Sequence, residues 1–307
     1  MNVPIDKIAG AFKAAGSAKK DSDVPVRVSV FVDGSASTFL LQTVREALVP
    51  QTTSAIVRVE RLGETPVTVK PDTDVSIVIS CGSEHLQQRV QEIVIGGAPT
   101  VVLAESAVEV GFIQEDTPML GLVAATNKTY LLESLARWIL DRTEKDTAFA
   151  ANFPFMRVAA ANRIILNASA ANLVTGALLF VPGADFPVMA VAQLGMMAQL
   201  ALVFGKPVRP ERGYEVAGVL VAGLLMRALA RAVVPAAGHL GFVVKALVAG
   251  FGTYAMGRAL TALYEADVDY ARANQAVASA ARHGRDFISL VSGRARVADP
   301  ADVAQAA

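Results

Sequence analysis

The sequence predicts an α/β domain with a Rossmann-type three-layer sheet, followed by an all-α, strongly apolar helical-hairpin domain. Apolar runs of strand length alternate with helix-like segments between residues 26 and 141, which is the pattern of a parallel sheet covered by helices. After residue 163, charged residues become scarce, and Ala, Val, Leu and Gly predominate. These patterns divide the chain into a helix or linker at 1–24, the α/β domain at 25–145, the helical domain at 146–284 and a tail at 285–307.

The composition restricts the classes of function. At 307 residues the chain is long enough for two domains. It carries 28 basic and 28 acidic residues, so no overall field favours nucleic acid. Hydrophobic residues make up 53% and charged residues 18%, which is more apolar than an average soluble protein. The single cysteine, Cys81, excludes an internal disulfide and suits a reducing compartment.

The first 24 residues have no continuous apolar core, so we expect no secretory signal. They place Ile5, Ile8 and Phe12 at helical spacing among several lysines. This spacing favours a docking helix followed by a solvated linker. A weak interfacial membrane anchor is the alternative.

The elements of the α/β domain follow from local apolar patterns. Residues 26–32 (VRVSVFV) predict a buried first strand, and residues 38–48 predict the helix after it. Residues 55–61 and 66–70 are rich in Val and predict a hairpin pair. The remaining predicted elements are strands at 75–80, 100–104 and 119–124 and helices at 84–94 and 131–140.

Residues 33–37 (DGSAS) connect the first strand to the first helix, where a phosphate-binding loop would lie. The connection is shorter than G-x-x-x-x-G-K-[ST], and it has no lysine. Phosphates need backbone N–H groups and a cation, and a carboxylate near them adds repulsion. We therefore expect no bound nucleotide and no cofactor. The degenerate phosphate loop consists of Asp33, Gly34, Ser35, Ser37 and Thr38.

The same loop has two further interpretations. Gly34 and the neighbouring serines could hold an anion at the helix N-terminus. Capping of the helix by Ser or Thr explains these residues without a ligand and is favoured. No G-x-G-x-x-G is present, so a dinucleotide site is not predicted.

Several short segments carry a resemblance to a known family. Residues 73–74 (TD) introduce the strand at 75–80, and residues 124–128 (AATNK) follow the last strand. In this layout the chain resembles the small-GTPase domain, in which an Ala-Asp pair and an S-A-K loop hold these places. Residues 104–106 (AES) stand in place of the guanine-reading N-K-x-D, and residues 70–73 (KPDT) stand where D-x-x-G is expected. The resemblance therefore implies a degenerate domain without GTP hydrolysis, because the groups that stabilise phosphoryl transfer are missing.

The second half contains two long stretches without charge. Residues 164–184 and 186–205 are 21 and 20 residues long, close to the ~20 residues that cross a bilayer core. Asp185 separates them among prolines and a glycine, which predicts a helix–turn–helix break. Basic residues flank both outer ends, as the positive-inside rule expects. The pattern predicts a membrane hairpin at 164–205, with a less regular second hairpin at 214–263.

Polar side chains inside these stretches oppose a membrane assignment. Ser169, Asn172 and Thr175 lie at three-residue spacing on one helix face, and Gln193 and Gln199 lie in the second stretch. In lipid this face must contact a partner helix. In water it would face either a core of Ala-rich helices or solvent.

A second resemblance covers residues 165–270. The run at 181–205 (VPGADFPVMAVAQLGMMAQLALVFG) is followed by a break at Pro235 and Gly238 and by a Gly-rich helix that ends near Tyr264. This order resembles the bacterial domain-of-unknown-function family numbered 697. The resemblance implies a helical, membrane-associated domain behind a GTPase-type domain, and it supplies no catalytic residues.

Three hypotheses of function follow. The first is a membrane-associated bacterial pseudo-GTPase that scaffolds an unknown protein partner, at the inner membrane with its N-terminal domain in the cytoplasm. The second is a soluble two-domain, cytoplasmic protein whose apolar helices pack on each other or in a homo-oligomer. The third is a nucleotide-binding protein with an unorthodox loop, in which Lys128 or a nearby arginine replaces the missing lysine. No catalytic or metal-binding constellation is evident, so an enzyme is not predicted.

Overall fold

The structure is a computed structural model that describes residues 23–63, 65–178, 185–206 and 241–266, with a few helical positions between 218 and 228. The predicted docking helix, the turn before Asp185, the break at Pro235 and the tail at 285–307 lie outside the described residues.

Five parallel strands form one sheet in the order β2-β1-β3-β4-β5. The strands are β1 (Val26–Val32), β2 (Ala55–Arg61), β3 (Val75–Ile79), β4 (Thr100–Ala104) and β5 (Leu120–Ala124). Every residue of β3 and β4 is buried, as expected of parallel strands that are covered on both faces. This is a doubly wound order, and its switch point lies between β1 and β3.

Helices cover both faces of the sheet. They are α1 (Thr38–Ala47), α2 (Leu86–Ile95) and α3 (Lys128–Leu140). Leu40 of α1 and Leu135 of α3 belong to the core on one face, whereas Val90 of α2 belongs to the core on the other face. The prediction of an α/β N-terminal region is confirmed.

The predicted hairpin is wrong. Strand β2 pairs in parallel with β1, with Val57 opposite Val28. Residues 66–70 form no strand, although they are rich in Val. Val69 is buried in the core beside α2, and the backbone N–H of Val67 donates to Glu92 at 3.2 Å. The segment lies over the sheet as a cover, because its apolar side chains find more contact there than at the sheet edge.

The C-terminal part of the described chain is helical, as predicted. Its helices are α4 (Asp146–Asn152), α5 (Arg157–Leu178), α6 (Asp185–Val203) and α7 (Gly241–Glu265). Helix α5 packs closely along α7, and glycines permit the approach. A Cβ atom placed on Gly257 would lie 2.6 Å from Cγ1 of Ile165, and one on Gly250 would lie 3.0 Å from Cβ of Leu173.

The prediction of transmembrane helices is wrong for the described residues, whereas the first arm of the second predicted hairpin, at 214–234, lies mostly outside them. None of the helices in the described residues has both the length and the apolarity needed to cross a bilayer. Helix α5 includes Arg157 and Arg163 together with several polar residues, and α7 includes Lys245 and Arg258. These charges lower the mean hydropathy of helices that would otherwise be long enough.

The polar side chains of the apolar stretches meet inside the helical part. Thr253 Oγ1 accepts two hydrogen bonds from neighbouring helices. One comes from Nδ2 of Asn172 in α5 at 2.8 Å, and the other comes from Nε2 of Gln193 in α6 at 3.1 Å. The hydroxyl of Thr253 donates in turn to the carbonyl of Ala249 at 2.8 Å. All three side chains are buried. Asn172 of the predicted polar face therefore contacts a partner helix, whereas Thr175 donates to the carbonyl of Ala171 within α5.

The helical part attaches at the edge of the sheet where the strands begin. Lys145 Nζ lies 2.7 Å from Asp74 Oδ1, just before β3. The fully buried Asn152 accepts from Thr52 Oγ1 at 2.7 Å and donates to Ser54 Oγ at 3.1 Å, just before β2. One hydrophobic core continues from the sheet into α4 and α5. The predicted domain division after residue 145 stays a prediction.

Candidate functional site

The candidate site is the crevice at the carboxyl ends of β1 and β3. Ligands of open α/β sheets bind outside the carboxyl ends of the strands, at the point where the strand order reverses. Here that point lies between β1 and β3, because β2 and β3 flank β1 on opposite sides. The described helices of the C-terminal part attach at the other edge of the sheet, away from this crevice. The degenerate phosphate loop follows β1 and forms one wall.

The carboxylate of Asp33 lies at the centre of the crevice. Its Oδ2 accepts a hydrogen bond from the hydroxyl of Ser35 and a second one from Ser80 Oγ at 2.9 Å. The backbone N–H of Ser35 also donates to Oδ2 at 3.2 Å. On the other side, Oδ1 accepts from Ser83 Oγ at 3.0 Å. Asp33 thus links the loop after β1 to the loop after β3.

The hydroxyl groups around Asp33 are themselves held in place. Ser35 Oγ accepts from the backbone N–H of Cys81 at 3.0 Å, and Ser80 Oγ accepts from the backbone N–H of Gly82 at 3.1 Å. Ser80 is fully buried, so its hydroxyl depends on these protein partners. The hydroxyl groups of Ser35, Ser80 and Ser83 are therefore already used as donors to Asp33.

Two opposing effects act on the pKa of Asp33. Burial is the largest single effect and would raise the pKa. Hydrogen bonds from Ser35, Ser80 and Ser83 together outweigh burial and lower the pKa below its ordinary value. The carboxylate is therefore ionised at neutral pH. The donors are hydroxyl and backbone N–H groups, with no ammonium or guanidinium group among those acting on Asp33 in the described chain.

The rest of the degenerate loop starts the helix. Ser37 is the N-cap of α1, and its Oγ accepts from the backbone N–H of Leu40 at 3.2 Å. Thr38, the first residue of the helix, is exposed. A Cβ placed on Gly34 would meet no atom within 4 Å, so no close approach of other groups requires glycine there. Capping accounts for Ser37, as the sequence predicted.

Lys128 does not replace the missing lysine. Its Nζ lies 2.5 Å from Oε2 of Glu46, near the C-terminal end of α1. A hydrogen bond from Lys128 is the main reason why the pKa of Glu46 is lowered. Glu46 is nine residues along the helix from Ser37, which corresponds to about 13 Å at 1.5 Å per residue. The ammonium group of Lys128 is therefore directed away from the crevice.

The other loops at this edge are also used for capping. Ser106 lies where the base-reading motif would be, and it forms a capping box with Glu109 at the 3-10 turn Ala107–Val110. Asn127 Oδ1 accepts from the backbone N–H of Tyr130 and caps α3. Within the described residues, no group of three or more His, Cys, Asp or Glu side chains could hold a metal ion.

Sequence reasoning identified Asp33 and Ser35 but missed Ser80 and Ser83. These two residues lie 45 to 50 positions later in the chain, and only the pairing of β1 with β3 brings them close. One signal was available in the sequence. Asp33 directly follows β1 and Ser80 directly follows β3, and the carboxyl ends of parallel strands lie at the same edge of a sheet.

Comparison with protein-family models, curated proteins and solved structures finds no match to this chain. The resemblances to small GTPases and to family 697 therefore stay predictions.

Proposed function

We propose that this chain is a non-catalytic scaffold protein whose α/β part binds another protein and no nucleotide. The observation that supports the proposal is the position of Asp33, whose carboxylate lies beside the start of α1 and accepts the hydroxyl donors of Ser35, Ser80 and Ser83. The carboxyl edge of the sheet then serves as a protein-binding surface.

Electrostatics explains why a nucleotide is disfavoured. A phosphate that entered the crevice would lie within a few ångströms of the Asp33 carboxylate. Two unit charges of the same sign repel by about 4 kcal/mol at 4 Å when the effective dielectric constant is about 20. Among the described residues, no ammonium or guanidinium group acts on Asp33 to offset this repulsion, and the neighbouring hydroxyl groups already donate to Asp33. A nucleotide that used these hydroxyl groups would first have to displace the carboxylate of Asp33 from them.

The relation to known families is part of the proposal and rests on the order of motifs in the sequence. For the α/β part, the degenerate small-GTPase interpretation agrees with the absent loop lysine, whereas the parallel pairing of β2 counts against it. For the helical part, the interpretation as a domain of family 697 rests on residues 181–205 and the Gly-rich helix α7. Neither interpretation supplies catalytic residues.

Calorimetric titration with GTP, GDP and ATP in excess Mg²⁺ tests the proposal. We expect no binding to the full-length protein at millimolar nucleotide. Circular dichroism spectra recorded on the same samples show whether the protein is folded. Micromolar binding of any of these nucleotides would overturn the proposal and favour the nucleotide-binding alternative. Competition by inorganic phosphate would then show whether the Asp33 crevice holds the phosphates.

A further inference from the structure

Strand β2 presents an open edge. It lies at the end of the sheet order and pairs only with β1 among the described strands. Two large apolar side chains on it are exposed, Ile56 at 43% and Val59 at 66%. An exposed edge strand with apolar side chains is a template for pairing with another chain.

The hydrogen bonds between β1 and β2 show which backbone groups of β2 face this open edge. The backbone N–H of Val26 donates to the carbonyl of Ser54, and the N–H of Leu62 donates to the carbonyl of Val32. The register between these two bonds is continuous for seven residue pairs, without a bulge. Backbone groups alternate in direction along a strand, so even-numbered residues bond to β1. The N–H and C=O groups of Val57, Val59 and Arg61 therefore point outward.

We propose that β2 pairs in antiparallel fashion with β2 of a second copy of this chain, with the two-fold axis at Val59. The two five-stranded sheets would then join into one ten-stranded sheet. In this register Val59 lies opposite its own copy, and Val57 lies opposite Arg61. Arg58 lies opposite Glu60 on both sides of the axis, so the charges are complementary.

The charges also disfavour the neighbouring register. A two-fold axis at Arg58 would place two guanidinium groups directly opposite each other, which is destabilising. Arg58 already contacts Asp72 through Nη1 and Nη2, at 2.7 and 2.8 Å. A guanidinium group has five N–H donors, so further donors are available for Glu60 of the second copy.

The size of the edge sets the expected strength. A strand of seven residues is about 23 Å long at about 3.3 Å per residue. Pairing of one strand covers less than the about 1,200 Å² that stable interfaces bury. The dimer should therefore be weak and should dissociate on dilution. This inference goes beyond the proposed scaffold function, because it does not involve the Asp33 crevice.

Sedimentation equilibrium of the full-length protein over a concentration series is the first test. We expect a monomer–dimer equilibrium that Val59→Pro weakens by about tenfold or more. Proline removes an outward N–H group and is tolerated on edge strands. Val59→Thr retains both the N–H group and the branched side chain, so it should leave the dimer intact. A wild-type protein that is monomeric at every concentration overturns the proposal.

Disulfide trapping tests the register. In a Cys81→Ala background, Val59→Cys should form a crosslinked dimer, because residues paired across the axis have Cα atoms about 5.5 Å apart. The matched variant Val57→Cys should not, because its two copies would lie about 13 Å apart. Equal crosslinking of the two variants, or crosslinking of neither, overturns the proposal. Glu60→Arg should weaken the dimer, and adding Arg58→Glu should restore it.

Discussion

Replacing Asp33 should cost a substantial part of the stability of the protein. In Asp33→Ala the hydroxyl groups of Ser35 and Ser80 lose their charged acceptor, and Ser80 is fully buried. A hydrogen bond to a charged group contributes about 1.5–3 kcal/mol, and bonds that share one acceptor are not additive. The bond from the exposed Ser83 contributes less. We expect the free energy of unfolding to fall by about 2–4 kcal/mol at neutral pH.

Urea unfolding followed by circular dichroism measures this loss. Glu84→Ala changes an exposed carboxylate of the adjacent loop and should alter the free energy of unfolding by less than about 0.5 kcal/mol. A loss for Asp33→Ala that is no larger than the loss for Glu84→Ala would refute the assigned network.

The pH dependence gives an independent check. Because the folded pKa of Asp33 is lowered, its contribution is complete above the unfolded pKa of about 3.9 and is lost as the pH falls through the folded pKa. The difference between wild type and Asp33→Ala should therefore be constant from neutral pH to about pH 5 and shrink below about pH 4. A difference that grows on acidification would contradict the network.

Two further predictions concern packing, and both are measured by urea unfolding. Asn152→Ala should cost about 1–3 kcal/mol, because it removes the hydrogen bonds by which a fully buried amide holds α4 to Thr52 and Ser54; a loss below about 0.5 kcal/mol would show that the attachment adds little. Gly257→Ala should cost about 1–3 kcal/mol, since the new methyl group would overlap Ile165. Gly195→Ala is the matched control, because space is open around this helical glycine, and it should stabilise the protein by about 0.5–1 kcal/mol. Equal effects of the two glycine variants would contradict the described packing of α5 on α7.

The sequence predicted the elements whose signals are local. Strands β1 and β4 have the predicted bounds, because each is an apolar run with polar or turn residues at both ends. Helix α1 begins at the predicted residue, because Ser37 supplies a cap directly before it. Such features need no knowledge of distant residues.

Features that depend on distant neighbours could not be predicted in the same way. The Val-rich segment at 66–70 has the propensity of a strand, but its valines pack over the sheet beside α2. The sequence alone allows the polar face around Asn172 in a helix that lies in lipid or in water. Its partner, Thr253, is evident only from the structure. In the site, Asp33 was evident, whereas its donors Ser80 and Ser83 come from another strand. In each case the deciding contact joins residues far apart in the chain.

The hydroxyl of Thr253 has a consequence for how the three C-terminal helices align. Ile165 of α5 fits against Gly257 of α7, and this steric contact already restricts sliding of the two helices. Sliding by one turn, about 5.4 Å, would separate Thr253 from the amides of Asn172 and Gln193. Each amide left unpaired would cost about 1–3 kcal/mol. Thr253 thus adds to the steric fit two hydrogen bonds that favour one axial position of α5 and α6 along α7.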